Sequence, residues 1–180
     1  MNTMKKRWLS IYVENEAGVL ARISGLFSGK CYNIDSLSVG VTEDPTVSRM
    51  TISLTSDDKT FEQIKKQLNR SVEVIKVLDF TDLSIHMSEL MYVKINSCAE
   101  KDKAEAFRIA QVYGVTVKDC NKNTILLECT QTQSKNNALI NVLRDAFGYR
   151  LEVVRGGAVA IESVSYGERQ ITVYKKLIII

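Results

Sequence analysis

The chain has 180 residues, enough for one ordinary domain or two small ones. Hydrophobic residues make up 45% and charged residues 25%, a globular mix that excludes general disorder and fibrous repeats. Lys and Arg number 24 against 21 Asp and Glu, and a net charge of +3 without blocks of like charge excludes the footprint of a nucleic-acid binder.

The short basic clusters Lys5-Lys6-Arg7, Lys65-Lys66 and Lys175-Lys176 read as solvated faces or ends. Apolar stretches fall far short of the about 20 residues of a membrane span, and no secretory signal is read at the start. A cytoplasmic location is therefore expected. Cys31, Cys98, Cys120 and Cys129 lack paired close spacing, and His86 is the single histidine, which leaves a zinc site almost without ligands. Buried free thiols in a reducing compartment are the expectation.

In chain order, Leu9, Ile11 and Val13 alternate in a first strand. Asn15-Glu16-Ala17-Gly18 breaks the pattern, and Val19, Leu20, Ile23, Leu26 and Phe27 follow at helical spacing. A second strand resumes at Asn33-Ile34-Asp35 and continues through Leu37, Val39 and Val41. Glu43-Asp44-Pro45-Thr46 forms a turn, and Met50, Ile52 and Leu54 line a third, antiparallel strand. Ser56-Asp57-Asp58 caps a helix carrying Phe61, Ile64 and Leu68. Val72, Val74 and Val77-Leu78 close the half as a fourth strand. This β-α-β-β-α-β order predicts a four-stranded antiparallel sheet with both helices on one face. Its other face is expected to be apolar and bare, and so to seek a partner.

The second half repeats the order at a period of about 80–85 residues. Met91, Val93 and Ile95 form a strand, and Ala106, Ile109, Ala110 and Tyr113 a helical stripe. Val115–Val117 and Thr124–Leu127 form a hairpin around Cys120-Asn121-Lys122-Asn123. Ala138, Leu139, Val142 and Leu143 stripe a helix that stops at Phe147-Gly148. Leu151–Val154 and Ala158–Ile161 read as strand pieces separated by a bend at Gly156-Gly157. The fold class is thus α+β, with two ferredoxin-like βαββαβ domains in tandem, at 7–82 and 83–165, and His86 near the linker between them. Residues 166–180 form a tail with an apolar, β-prone run at 171–180, open to adding an edge strand, docking on a partner or staying loose.

Motifs for catalysis are missing: there is no nucleophile elbow, phosphate-cradling loop or dinucleotide fingerprint. The adjacent carboxylates Asp57-Asp58 and Glu43-Asp44 sit at caps and turns. No catalytic residue and no metal ligand is assigned. Binding chemistry concentrates in Glu14-Asn15-Glu16-Ala17-Gly18-Val19-Leu20, between the first strand and the first helix. The helix start presents unpaired N–H donors that attract a carboxylate. Gly18 lets a ligand approach the main chain, and the Asn15 amide suits both an ammonium and a carboxylate. A free amino acid carries both groups. From spacing alone, a simple cap at Asn15 and a turn at Gly18 are the better explanation of the segment.

A resemblance enters at these residues. Asn15-Glu16-x-Gly18-Val19-Leu20, Gly25-Leu26-Phe27, Tyr32-Asn33-Ile34-Asp35-Ser36-Leu37 and Asp44-Pro45-Thr46-x-Ser48-Arg49-Met50-Thr51-Ile52 resemble the regulatory, small subunit of acetolactate synthase. That family begins with an ACT domain, an amino-acid-sensing βαββαβ module. The match covers about residues 7–80, and in the second half it rests on length, element order and Arg155-Gly156-Gly157, where many members carry Ser in place of Gly156.

The resemblance implies a non-catalytic chain that activates a catalytic large subunit and confers feedback inhibition by a branched-chain amino acid, usually valine. Thiamine diphosphate, Mg and FAD are then expected on the catalytic partner and none on this chain. It also implies a homodimer through the ACT domains with the effector between two chains. One would supply Asn15, Gly18 and the main chain at Val19 and Leu20, and the other Asn33 and Ile34. The alternative is a free-standing ACT sensor of another amino-acid pathway. An RNA-binding module shares the element order, but Met50-Thr51-Ile52-Ser53 stands where its aromatic-rich strand belongs. A small ferredoxin-like enzyme lacks a placed acid, base or nucleophile.

Overall fold

The computed structural model describes residues 3–164. Of these, Met87–Val159 form one compact unit and the remainder another. The tail at 166–180 lies outside the described residues.

In the first unit, β1 (Lys5–Glu14), α1 (Val19–Ser28), β2 (Ser36–Val41), β3 (Val47–Ser56), α2 (Asp58–Leu68) and β4 (Val74–Asp79) follow the expected order. The sheet runs β2-β3-β1-β4, and β1 pairs antiparallel with both β3 and β4. Alternation puts Leu9, Ile11 and Val13 beside Met50, Ile52 and Leu54 on one face. Val19, Ile23 and Phe27 from α1 and Phe61, Ile64 and Leu68 from α2 pack onto them, all twelve buried. Asp57 starts α2 by accepting the Thr60 N–H at 2.8 Å, a bond that holds its carboxyl below the usual range.

Two strand starts differ from the alternation. β2 begins at Ser36, although Asp35 N–H still donates to the Ser53 carbonyl of β3 at 2.8 Å; the side chains of Asn33 and Asp35 bond locally. Asn33 donates to Asp35 Oδ1 at 3.3 Å and Thr55 to Asp35 Oδ2 at 2.9 Å. β4 begins at Val74, after a turn closed by Val74 N–H on the Ser71 carbonyl at 3.2 Å, and Val72 stays exposed.

The expectation of a bare apolar second face is corrected. The register places Trp8, Ser10 and Tyr12 opposite Ser53, Thr51 and Arg49, with Ser36, Ser38 and Gly40 continuing the row. Ser10, Thr51 and Ser53 are buried. Arg49 donates from Nε to Ser10 Oγ at 2.8 Å and lies 5.2 Å from the Tyr12 ring centroid. A period-two pattern identifies one apolar face but does not fix the other, which here mixes buried Ser10, Thr51 and Ser53 with Trp8, Tyr12 and Arg49.

The second unit repeats the plan with β5 (Ile85–Ile95), α3 (Glu100–Tyr113), β6 (Thr116–Cys120), β7 (Ile125–Gln131), α4 (Gln133–Phe147) and β8 (Leu151–Glu162), in the sheet order β6-β7-β5-β8. Met91, Val93, Ile95, Ile125, Leu127 and Cys129 meet Ala106, Ile109 and Ala110 of α3 and Leu139, Leu143 and Phe147 of α4. Gly148 ends α4 at φ +59°, a conformation open to glycine. The architecture is therefore α+β, two βαββαβ units in tandem.

Two local expectations change. The Gly156-Gly157 bend does not split the last strand: β8 runs unbroken for 12 residues, and Gly157 absorbs the irregularity at φ +77°. His86 lies on β5 rather than in a linker, with Nε2 3.5 Å from Ser163 Oγ.

Beneath β8 sits a buried polar knot. Glu89, 2% exposed, receives Arg155 Nε at 2.9 Å on one carboxylate oxygen and Arg155 Nη2 at 2.6 Å on the other. Asn136, fully buried, donates to Glu89 Oε2 at 3.0 Å, and Arg155 Nη1 reaches Asn137 Oδ1 at 2.8 Å.

The cysteines divide evenly. Cys98 and Cys129 are buried, whereas Cys31 and Cys120 are exposed, correcting the expectation of buried thiols throughout. Burial pushes the Cys129 thiol up to about 11 and also raises that of Cys98. Native protein at pH 8 should therefore expose two thiols to a dithiobenzoate reagent and release the other two on unfolding in urea. A count of four before unfolding would contradict this burial. Among the described residues, no helix is long and apolar enough to cross a membrane.

Candidate functional site

The segment between β1 and α1 is fixed from a distance. Asn15 N–H donates to the Thr46 carbonyl at 2.7 Å. Its side-chain Nδ2 donates to the Pro45 carbonyl at 2.8 Å, and its Oδ1 accepts from Ser48 Oγ at 2.9 Å. The turn it grips is itself stiff: Asp44 Oδ1 accepts Thr46 N–H at 2.8 Å and Thr46 Oγ1 at 2.6 Å. Those two bonds, the hydroxyl's first, hold the Asp44 carboxyl below its ordinary range. Asn15 is thus a brace between loop and turn, not a helix cap.

The cap position of α1 belongs to Gly18, left-handed at φ +85°. No side chain closes this helix start, and its first turn carries no acidic residue. Val19 N–H makes a long bond of 3.3 Å to the Glu16 carbonyl. The positive end of the helix dipole is therefore open to an anion. A Cβ built on Gly18 meets Arg22 Nη1 at 3.3 Å, and Arg22 in turn pairs with Glu73 at 2.5 Å.

Beside this helix start opens a cleft of about 280 Å³. Its floor is core: Val13, Val19 and Met50, each at most 2% exposed. Its rim is Leu20, Val39 and Val41, exposed at 42%, 47% and 59%. Glu14, Asn15, Glu16 and Ser48 supply the polar lining. Val39 and Val41 are exposed because β2 is the edge strand of the sheet, and Leu20 lies on the first turn of α1. An open helix start, an aliphatic wall and two carboxylates near one another suit a small zwitterion with an apolar side chain.

Of the six residues singled out from the sequence, Asn15, Val19 and Leu20 line this cleft, and Gly18 stands at the head of the helix beside it. Asn33 and Ile34 do not line it within one chain. Asn33 is exposed just before β2, and Ile34 packs against the first core. Sequence reasoning missed Ser48, Val39, Val41 and Met50 as neighbours of the loop. A signal was present in the run Asp44-Pro45-Thr46-x-Ser48, whose partners in space lie some 30 residues earlier: Asn15 to Pro45 spans |i−j| = 30. Among the described residues, no group of three or more His, Cys, Asp or Glu is placed to hold a metal.

Comparison with known proteins gives a consistent picture. Residues 9–76 match the family described as the AHAS small subunit-like ACT domain, and residues 88–164 that described as the small subunit of acetolactate synthase. The chain is 39% identical to the acetolactate synthase small subunit of Aquifex aeolicus, over 88% of this chain and 81% of that one. It is 36% identical to the acetolactate synthase isozyme 3 small subunit of Escherichia coli, over 87% of this chain and 94% of that one. The crystal structure of the small subunit from Thermotoga maritima superposes with a TM-score of 0.79 at 32% identity, covering 88% of this chain and 98% of that one.

Proposed function

We propose, because this chain belongs to the acetolactate synthase small-subunit family, that it is the non-catalytic regulatory subunit of that enzyme. In this role it raises the activity of the catalytic large subunit and confers feedback inhibition by a branched-chain amino acid, with valine the first choice. The observation that carries the effector is the uncapped start of α1 at Gly18, opening beside an aliphatic cleft.

In this reading the effector carboxylate docks on the helix start, where backbone N–H groups and the dipole favour negative charge. Gly18 has no Cβ to obstruct it, and the main chain at Val19 and Leu20 flanks it. The second N–H of Asn15 Nδ2, beyond the one given to Pro45, is available to the same carboxylate. Glu14 and Glu16 favour the ammonium end. The open rim at Leu20, Val39 and Val41 is completed by a second protomer, whose Asn33 and Ile34 close the site across a homodimer. The N-terminal domain at 7–82 is then the sensor and the C-terminal domain at 83–165 its companion. Thiamine diphosphate, Mg and FAD belong to the catalytic partner, and the complex is cytoplasmic.

Inhibition follows from linkage. An effector that binds one arrangement of the paired sheets better shifts the population toward it by its differential affinity and no more. Titrating the full chain calorimetrically with valine, leucine and isoleucine, then repeating with the catalytic chain present, tests both halves of the proposal. Saturable binding by at least one of the three is expected, together with a rise in acetolactate formation on mixing the chains. Binding without any effect on a thiamine-dependent partner would favour a free-standing amino-acid sensor instead.

A further inference from the structure

The amide orientation of Asn15 settles a proton at the polar end of the cleft. The Pro45 carbonyl can only accept, so the Asn15 atom 2.8 Å from it is the NH₂ group. The other amide atom is then the oxygen, and it can only accept. Ser48 Oγ, 2.9 Å from that oxygen, must therefore give its one hydroxyl proton to Asn15. What Ser48 keeps is lone pairs. The residue is 7% exposed, yet it lines the cleft, and a nearly buried hydroxyl stripped of its donor is an acceptor waiting for an N–H.

Resting on the amino-acid effector reading above, we infer that Ser48 is the residue that accepts a hydrogen bond from the ligand ammonium, and that Asn15 acts on the ammonium as a positioning residue by holding the Ser48 hydroxyl in its acceptor state. The arrangement explains why a loop and a turn far apart in sequence are bonded at three points. Asn15 N–H to Thr46, Asn15 Nδ2 to Pro45 and Ser48 to Asn15 leave the hydroxyl a single orientation. It also assigns the ends of the ligand. The ammonium lies toward Ser48 and the carboxylates of Glu14 and Glu16, and the carboxylate toward the start of α1. The side chain lies along Val39 and Met50, which face each other across β2 and β3. A ligand without the ammonium gains nothing from Ser48, and a hydroxyl that donates to Asn15 discriminates against a second donor-poor group in its place.

Calorimetric titration of the full chain with L-valine, and competition by 3-methylbutanoate, test the assignment. The competitor keeps the branched chain and the carboxylate but has no ammonium. Ser48→Ala is expected to weaken valine by about tenfold or more, as loss of a charge-assisted bond requires, and to leave 3-methylbutanoate within about twofold. Ser48→Thr retains the hydroxyl and is expected to restore valine to within about threefold of the native chain. Unchanged valine affinity in Ser48→Ala overturns the inference, as does equal weakening of both ligands or failure of Ser48→Thr to rescue. Where the competitor binds too weakly to measure in the native chain, the rescue decides alone. Gly18→Asp, titrated alongside, separates the two levels. If it keeps valine binding, the effector site itself is misplaced; if it loses valine while Ser48→Ala does not, only the role of Ser48 falls.

Discussion

Gly18→Asp is expected to abolish inhibition by the branched-chain effector while the catalytic subunit is still activated. Three features of the site combine to give this. The residue is the cap of α1 at φ +85°, and among non-glycine residues Asp is one of the few that visits this conformation, at a cost of about 1 kcal/mol. The new Cβ meets the end of the flexible Arg22 side chain at 3.3 Å, which can move aside, so the fold survives. The introduced carboxylate then lies at an uncapped helix start and would satisfy the N–H groups assigned above to the proposed effector carboxylate. Loss of this anchor together with like-charge repulsion should raise the inhibitory concentration by at least about 100-fold, equivalent to about 2.7 kcal/mol. A reconstituted assay with the catalytic chain reads both quantities at once. Unchanged sensitivity would remove the helix start from the mechanism.

Arg155→Leu is expected to be among the most destabilising single changes in the second unit, by about 3 kcal/mol. Its target, Glu89, is 2% exposed and is held by two N–H donors, Nε and Nη2, on one edge of the guanidinium. Removing the arginine leaves a nearly buried carboxylate without its counter-charge, though Asn136 still donates to it. Because Arg155 itself keeps about a third of its side chain in water, at 33%, the loss belongs at the lower end of the range for a broken buried pair. The double substitution Glu89→Leu/Arg155→Leu should recover much of the stability, since two apolar side chains leave no charge to compensate. Urea denaturation followed by circular dichroism measures both. A double variant no more stable than Arg155→Leu would mean that packing, rather than the stranded charge, dominates.

The elements were legible because their signals are local. Leu9, Ile11 and Val13 alternate, and Phe61, Ile64 and Leu68 recur at helical spacing; each pattern is complete within one element. What failed depended on partners elsewhere in the chain. Asn33 and Asp35 continue the strand alternation, yet β2 opens only at Ser36, and the Asp35 carboxylate is bonded by Asn33 and Thr55. Gly156 and Gly157 signal a bend locally, but strand pairing carries β8 through them. The polar second face of the first sheet was written plainly in Ser10, Thr51 and Ser53, yet alternation says only that these residues lie opposite the core.

The candidate site divides in the same way. The loop from Asn15 to Leu20 stood out through its glycine and its place before a helix, and the resemblance supplied its ligand class. Ser48 and the aliphatic wall of Val39 and Met50 come from strands that only the folded sheet brings beside the loop. No spacing rule links residue 15 to residue 48. The signature run Asp44-Pro45-Thr46-x-Ser48 carried the information, but its meaning required knowing which amide it grips.

That grip makes Asn15 the clasp of a ring of backbone spanning the whole first helix and the first hairpin. Three hydrogen bonds tie Asn15 to the turn at 44–46 and the start of β3, so any displacement of the clasp is carried to that turn. By linkage, a partner bound at that turn would alter ligand affinity at the clasp by the same factor by which the ligand altered the partner's.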